Sequence, residues 1–251
     1  HQQPATLNVK SNLDKLTLND MQVFRFNFRH EKNQKILYLH GGYNTLQPSP
    51  FHWRLLDKLT LNTLHEVVLP IYPKSPDYHY LETFKAIRDV YNQLVEEVGA
   101  DNIVMMGDGS GGGLALSFVQ SLINDNQEVP RKLFLLSPLL DATLTNPNIT
   151  QTLEENDILV SRFGVHQLMK SWANDLPLSD ARISPLYGTL KGLPPIYMYG
   201  GGREILSPDM HAFTHALEEC GNDVEFKEYP KMVHDFPIYP CLLYTSPSPR
   251  D

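Results

Sequence analysis

Cysteine is scarce in this sequence: Cys220 and Cys241 are the only two. A disulfide framework is not indicated, and a reducing compartment, the cytoplasm, is expected. No block of Lys or Arg occurs, and the formal net charge is −8. Nucleic acid and anionic membrane surfaces are therefore not expected partners. No apolar run approaches the roughly 20 residues that a membrane-spanning helix needs. There is no internal repeat and no long low-complexity tract. Metal-ligand spacing is as sparse. His211 and His215 stand four apart on an expected helix with no further ligand nearby, so they read as a solvent face and no metal is expected.

What is present points to a core. The chain has 251 residues, 41% of them hydrophobic and 20% charged. That suffices for one large domain. It starts with His1, so residues are expected to be missing in front. The end, Cys241-Leu-Leu-Tyr-Thr-Ser-Pro-Ser-Pro-Arg-Asp251, resembles the in-frame translation of a transposase sequencing adapter. Residues 241–251 are therefore read as a non-native tail. Residues 1–240 are read as one domain truncated at both ends.

Along the chain, Met21–Phe28, Lys35–Leu39 and His65–Ile71 read as strands, the first two separated by a polar turn over residues 30–34. Ser75 and Pro76 suit the cap and first position of a helix whose buried face carries Tyr80, Phe84, Ile87, Tyr91 and Leu94. Ile103–Met106, Lys132–Leu136, Pro195–Tyr199 and Val224–Tyr229 are further strands. Helices are expected after Gly113 and from Ser207-Pro208 to Gly221. Strand and helix alternate almost throughout, which predicts an α/β fold: a mostly parallel sheet with helices on both faces. Residues 150–190 break the rhythm, with helical spacing over Phe163–Ala173 inside a loop-rich stretch. They are read as a partial lid.

The turn Gly107-Asp108-Gly109-Ser110-Gly111-Gly112-Gly113 joins a buried strand to a helix. So sharp a turn needs residues without a Cβ. It admits three readings: a nucleophile elbow, a dinucleotide loop on the match of Gly107, Gly109 and Gly112 to G-x-G-x-x-G, or a structural turn. A phosphate-binding P-loop is excluded, since no Gly-Lys-Ser/Thr follows. The dinucleotide reading lacks an acidic residue at the end of the next strand, which is followed by Ser137-Pro138. It also leaves His40-Gly41-Gly42 and His234 unused.

Ligands bind such sheets at the carboxyl ends of the strands. His40, Ser110, Asp141, Glu204 and His234 each lie just past an expected strand end. Acyl transfer needs a nucleophile, a base, an acid to orient the base, and N–H donors for the oxyanion. Ser110, His234 and Glu204 could fill the first three roles, in the chain order serine, acid, histidine. His40-Gly41-Gly42 could supply donors. Asp209 rivals Glu204, but a first helical turn already explains an acidic residue there.

The motifs His40-Gly41-Gly42, Gly107-Asp108, Gly111-Gly112-Gly113-Leu114-Ala115, Ser137-Pro138-Leu139-Leu140-Asp141, Ser184-Pro185-Leu186-Tyr187, Glu204-Ile205-Leu206 and His234-Asp235-Phe236 follow in order over residues 35–240. In them the chain resembles esterases of the hormone-sensitive-lipase-like group of the α/β-hydrolase fold. The resemblance implies hydrolysis of small, short-acyl carboxylic esters through an acyl-enzyme, without metal or organic cofactor. It departs at the elbow. The family pattern is Gly-Asp-Ser-Ala-Gly-Gly, so Gly109 holds the serine position and Ser110 the alanine position. Ser110 is taken as the nucleophile, Glu204 and His234 complete the triad, and the N–H groups of Gly41, Gly42 and Gly111 form the oxyanion hole. Gly109 gives the turn room to repack. Tyr43 stands where relatives carry a small residue. His40, Asp108, Gly109 and Asp141 are supporting residues: His40 shapes the glycine loop and Asp141 braces another. The alternative is a non-catalytic homologue that binds a small ligand, favoured by Gly109 and opposed by Glu204 and His234. The natural substrate and the oligomeric state are not legible.

Overall fold

The structure, a computed structural model, describes residues 8–28 and 34–239. The expected turn over residues 30–34 falls almost wholly, and the tail 241–251 wholly, outside them. Eight strands form one sheet: β1 (Leu13–Leu18), β2 (Met21–Phe26), β3 (Lys35–Leu39), β4 (Glu66–Pro70), β5 (Ile103–Asp108), β6 (Lys132–Leu136), β7 (Ile196–Gly201) and β8 (Val224–Tyr229). Their order is β1-β2-β4-β3-β5-β6-β7-β8. The pairs β1·β2 and β2·β4 are antiparallel, and every later pair is parallel.

The expected strands β2 to β8 are present within a residue or two at their ends. Three parts differ. β1 is absent from the sequence expectations; its central residues are exposed on both faces, so it carries no burial signal. Helix α1 (Pro50–Thr63) is a second addition. Ser49 caps it, with its Oγ accepting from His52 N at 3.4 Å, and Pro50 takes the first turn. The helix expected to open at Ser75-Pro76 instead begins later, as α2 (Tyr80–Val98). Ser75-Pro76 forms a cis bond in the preceding turn. The cap is His79, whose N–H donates to Glu82 Oε2 at 3.1 Å.

The remaining helices are α3 (Ser110–Asn124), α4 (Gln151–Asn156), α5 (Arg162–Ala173) and α6 (Ser207–Glu219). Alternate strand residues face two cores. Leu37, Leu39, Val68, Met105, Leu133 and Met198 pack with residues of α2, α3 and α6. Tyr38, Val67, Leu69 and Val104 pack with Trp53 and Leu56 of α1 on the other face. Helices on both faces of a mostly parallel sheet are the expected class. α4 and α5 lie in the long segment between β6 and β7. α5 docks by Trp172, which lies 6.3 Å from the Phe84 ring and donates to Thr83 Oγ1 at 3.0 Å.

From β3 the chain crosses by α1 to β4 on one side. From β4 it crosses by α2 to β5 on the other side. The gap beyond the ends of β3 and β5 is thus the switch point of the sheet, where a cleft forms without any special side chain.

Four charged side chains cluster on β2–β4 and α2. Arg25 donates to Glu97 at 2.8 and 2.6 Å and pairs with Glu66. Lys35 Nζ lies 2.9 Å from Glu66 and 2.6 Å from Glu97. Burial raises the Glu97 carboxyl, but Arg25 and Lys35 outweigh it and hold it at about 2. Its stabilising contribution is therefore present above the ordinary glutamate range and fades as pH falls toward 2. Arg25→Ala takes the guanidinium from Glu66 and Glu97, leaves Lys35 paired with both, and is expected to cost about 1–3 kcal/mol. A urea unfolding midpoint unchanged from the parent would contradict this.

Candidate active site

Only Gly109 separates β5 from α3. Its φ is 55° and its ψ −126°, a left-handed φ that favours glycine. Its N–H donates to Leu136 O at 2.9 Å, and its carbonyl accepts from Leu139 N at 2.9 Å and from Gly112 N at 3.1 Å. The strand-to-helix elbow therefore turns on residue 109. A Cβ added there would lie 3.4 Å from His234 Nε2 and 3.3 Å from Asp235 Oδ2.

His234 follows β8, and Glu204 follows β7. Glu204 Oε1 lies 3.0 Å from His234 Nδ1. Glu204 is fully buried. Its other oxygen accepts from Ser137 Oγ at 2.6 Å and from Gly201 N at 2.9 Å. Ser137 Oγ in turn accepts from Asp235 N at 3.1 Å. The structure thus brings Glu204 and His234 together and aims Nε2 at the elbow.

Ser110 lines the same cavity as His234, but no hydrogen bond joins them. Ser110 is the first residue of α3; its Oγ is buried and has no hydrogen-bond partner among the described residues. The residue beneath His234 Nε2 is Gly109. The one-residue offset in the motif is kept in space, because β5 and α3 are fixed on both sides of the turn and the glycine does not repack it.

The other expected residues divide. Gly41 N–H already donates to Asp108 Oδ1 at 3.0 Å, which corrects its place among the oxyanion donors. Gly111 sits so close to β3 that a Cβ would lie 2.2 Å from Leu39 O. The N–H groups of Ser110 and Gly111 open α3 and have no partner within the helix. With Gly42 across the cleft they are the donors nearest the elbow in sequence and fold. His40 is fully buried; its Nδ1 donates to Gly41 O at 2.7 Å and its ring stacks on Tyr72 at 4.8 Å. Burial, with the charges of Lys74 and His52, pushes its pKa well below the usual histidine range. Asp141 accepts from Thr143 N at 2.9 Å and from Tyr187 OH at 2.6 Å, far from His234 in bonding terms. Asp209, the rival acid, accepts from Asn146 at 3.1 Å, and burial raises it to about 6. His211 and His215 diverge, to Glu228 and Glu219.

Two residues that sequence reasoning does not single out stand at the centre. His52, from the additional helix α1, lies 2.9 Å from Asp108 Oδ1. Tyr38 OH donates to the same oxygen at 2.7 Å. Burial raises the Asp108 carboxyl, but His52, Asp235 and Tyr38 outweigh it and hold it well below the usual range. Asp235 Oδ2 lies 3.2 Å from His234 Nε2, and the charge of Asp108 acts on it. Burial opposes a charge on His234, yet Asp235 and Glu204 raise its pKa well above the ordinary value. A cavity of about 210 Å³ covers the elbow, with Leu46, Leu139, Leu159, Leu206 and Ile238 as its apolar wall.

Known proteins align with this chain. Residues 36–238 match the profile of a family described as alpha/beta hydrolase fold. An esterase from Acinetobacter venetianus is 33% identical over 208 residues, 82% of this chain and 68% of the relative. A triacylglycerol lipase from Mycobacterium tuberculosis is 29% identical over 221 residues, 88% of this chain but 46% of the lipase. The chain thus spans less than half of the lipase and about two thirds of the esterase. A crystal structure described as a "putative esterase" from Staphylococcus aureus is 64% identical, with a TM-score of 0.94 over 96% of this chain and 81% of that one. An esterase from the bacterial hormone-sensitive lipase family shares the fold at a TM-score of 0.85 and 23% identity, over 95% of this chain and 82% of that one. With its profile match, its sheet order and its hormone-sensitive-lipase-like motifs, this chain belongs to the α/β-hydrolase family.

Proposed function

We propose that this chain hydrolyses small, short-acyl carboxylic esters above Gly109, with His234 and Glu204 as the acid–base couple and water as the attacking group. The observation that carries this is the placement of His234 Nε2, 3.4 Å from where a Cβ of residue 109 would stand, over a position with no hydroxyl. The esterase names of the relatives support the substrate class. The small cavity supports a short acyl chain. An acyl-enzyme on Ser110 has less support, because its Oγ is buried and apart from His234.

The ester carbonyl oxygen points at the N–H groups of Ser110 and Gly111. A water molecule gives its proton to His234 Nε2 as its oxygen bonds to the carbonyl carbon. The carbonyl π pair moves onto the oxygen and is held by those donors. On collapse the carbon–alkoxy bond breaks, and the alkoxide takes the proton back from Nε2. Acid and alcohol leave, and no bond to the protein forms. Glu204 holds the ring and stabilises the imidazolium between the two transfers. A cytoplasmic site of action suits the free, exposed Cys220.

Gly109 also favours a second reading, a ligand-binding homologue without turnover. Hydrolysis of p-nitrophenyl acetate separates them. Under the proposed reading, His234→Ala lowers turnover by roughly 10²-fold or more. Ser110→Ala leaves it in place, and a fluorophosphonate leaves Ser110 unlabelled. Wild-type rates equal to those of His234→Ala establish the binding reading. Loss of turnover in Ser110→Ala, with label on Ser110, restores the acyl-enzyme there.

Gly109→Ser supplies a hydroxyl beneath Nε2. Its positive φ costs on the order of 1–3 kcal/mol, and Asp235 and His234 must yield by a few tenths of an ångström. The variant is expected to melt lower, to show a burst of p-nitrophenol, and to take fluorophosphonate at residue 109. A folded variant with neither burst nor label would remove residue 109 as the elbow position.

A further inference from the structure

The base of the proposed reaction has an unusual neighbour, and the role inferred for that neighbour rests on the same reading of His234. Asp235 Oδ2 stands 3.3 Å from the point that a Cβ of residue 109 would occupy and 3.2 Å from His234 Nε2. The nitrogen expected to face an elbow hydroxyl therefore faces a carboxylate. Glu204 holds the opposite nitrogen at 3.0 Å. The imidazole is clamped between two carboxylates, only one of which belongs to the expected triad.

Asp235 is built into this place. Its backbone is left-handed, with φ 54° and ψ 26°, and its N–H donates to Ser137 Oγ, the hydroxyl that also holds Glu204. It is 6% exposed, and its Oδ1 has no partner among the described residues. Behind it stands Asp108, held by His52, Tyr38 and the Gly41 N–H. Tyr43 and Tyr239 feel its charge from the loop after β3 and from the chain's last described turn.

We infer that Asp235 is a positioning residue: its carboxylate uses the space left by the missing side chain at 109 and fixes His234 Nε2 over the elbow. Without it, an imidazole facing glycine would have a partner on one side only and would be free to tip about the Glu204 bond. Burial and the Asp108 charge push the Asp235 carboxyl up, the facing His234 imidazolium draws it down, and His52 keeps Asp108 ionised. The clamp favours the imidazolium. His234 is then a ready proton donor at neutral pH and a base only above the ordinary histidine range.

The sign can be tested by nuclear magnetic resonance titration of the His234 ring, with or without turnover. Asparagine tolerates left-handed backbone and keeps the shape of the side chain, so Asp235→Asn disturbs the fold little. Asp235→Gly is the second variant, should the first unfold. In the wild type, His234 is expected to titrate above the usual histidine range. Either variant is expected to lower that midpoint by roughly one pH unit, a tenfold loss of proton affinity. The acid limb of p-nitrophenyl acetate hydrolysis moves to lower pH by the same amount. Midpoints that agree between wild type and both variants overturn the inference, even where hydrolysis persists. Absence of His234-dependent hydrolysis with the midpoint shift intact overturns the proposed reaction and leaves Asp235 in its role.

Discussion

The start of α3 lies against the end of β3 at backbone contact, and a Cβ on Gly111 would stand 2.2 Å from Leu39 O. Because the helix must begin there, the chain has one residue in which to turn out of β5. That residue takes φ 55°, which glycine reaches at no steric cost. The same close approach brings unsatisfied helix N–H groups to the switch point of the sheet, where Glu204 and His234 arrive from β7 and β8. Backbone geometry alone thus builds an anion-favouring floor with the Glu204–His234 pair above it.

On such a floor the identity of residue 109 decides the chemistry. A serine would present Oγ to Nε2. The glycine here leaves Nε2 without a side-chain partner from the elbow, and a carboxylate from the neighbouring loop has taken that side. Ser110 does not compensate. Its Oγ is buried and has no hydrogen-bond partner among the described residues, although the residue lines the same cavity. Order of motifs and frame of motif are therefore separable: the first survives in this chain, and the second does not.

Much of the fold is legible because burial writes period and length into sequence. Ile103–Met106 and Lys132–Leu136 are short apolar runs, and they are central parallel strands. β1 escapes because Leu13, Leu16 and Leu18 alternate with nothing that a core requires, at the sheet edge. α1 escapes because its buried face includes His52, Asp57 and Thr60, polar residues that blunt a helical stripe. Missing that helix has a consequence at the site, since it delivers His52 to Asp108. Glu204 and His234 are legible from their places after strands. Asp235 is not, since nothing in His234-Asp235-Phe236 says which side chain will turn back. That depends on a left-handed residue and a bond to Ser137, 98 positions away.

Asp108, Asp235 and Glu204 lie almost wholly out of water within one cluster, beside two histidines. Placing charges there costs several kcal/mol each unless partners offset it. Each of the three carboxyls has such a partner: His52 and Tyr38 for Asp108, Ser137 and His234 for Glu204, His234 for Asp235. A scaffold kept only for its shape would need none of them, since apolar side chains of similar size fill a core at lower cost. Under the proposed reading, that cost is offset by the proton transfers of His234, whatever group makes the attack.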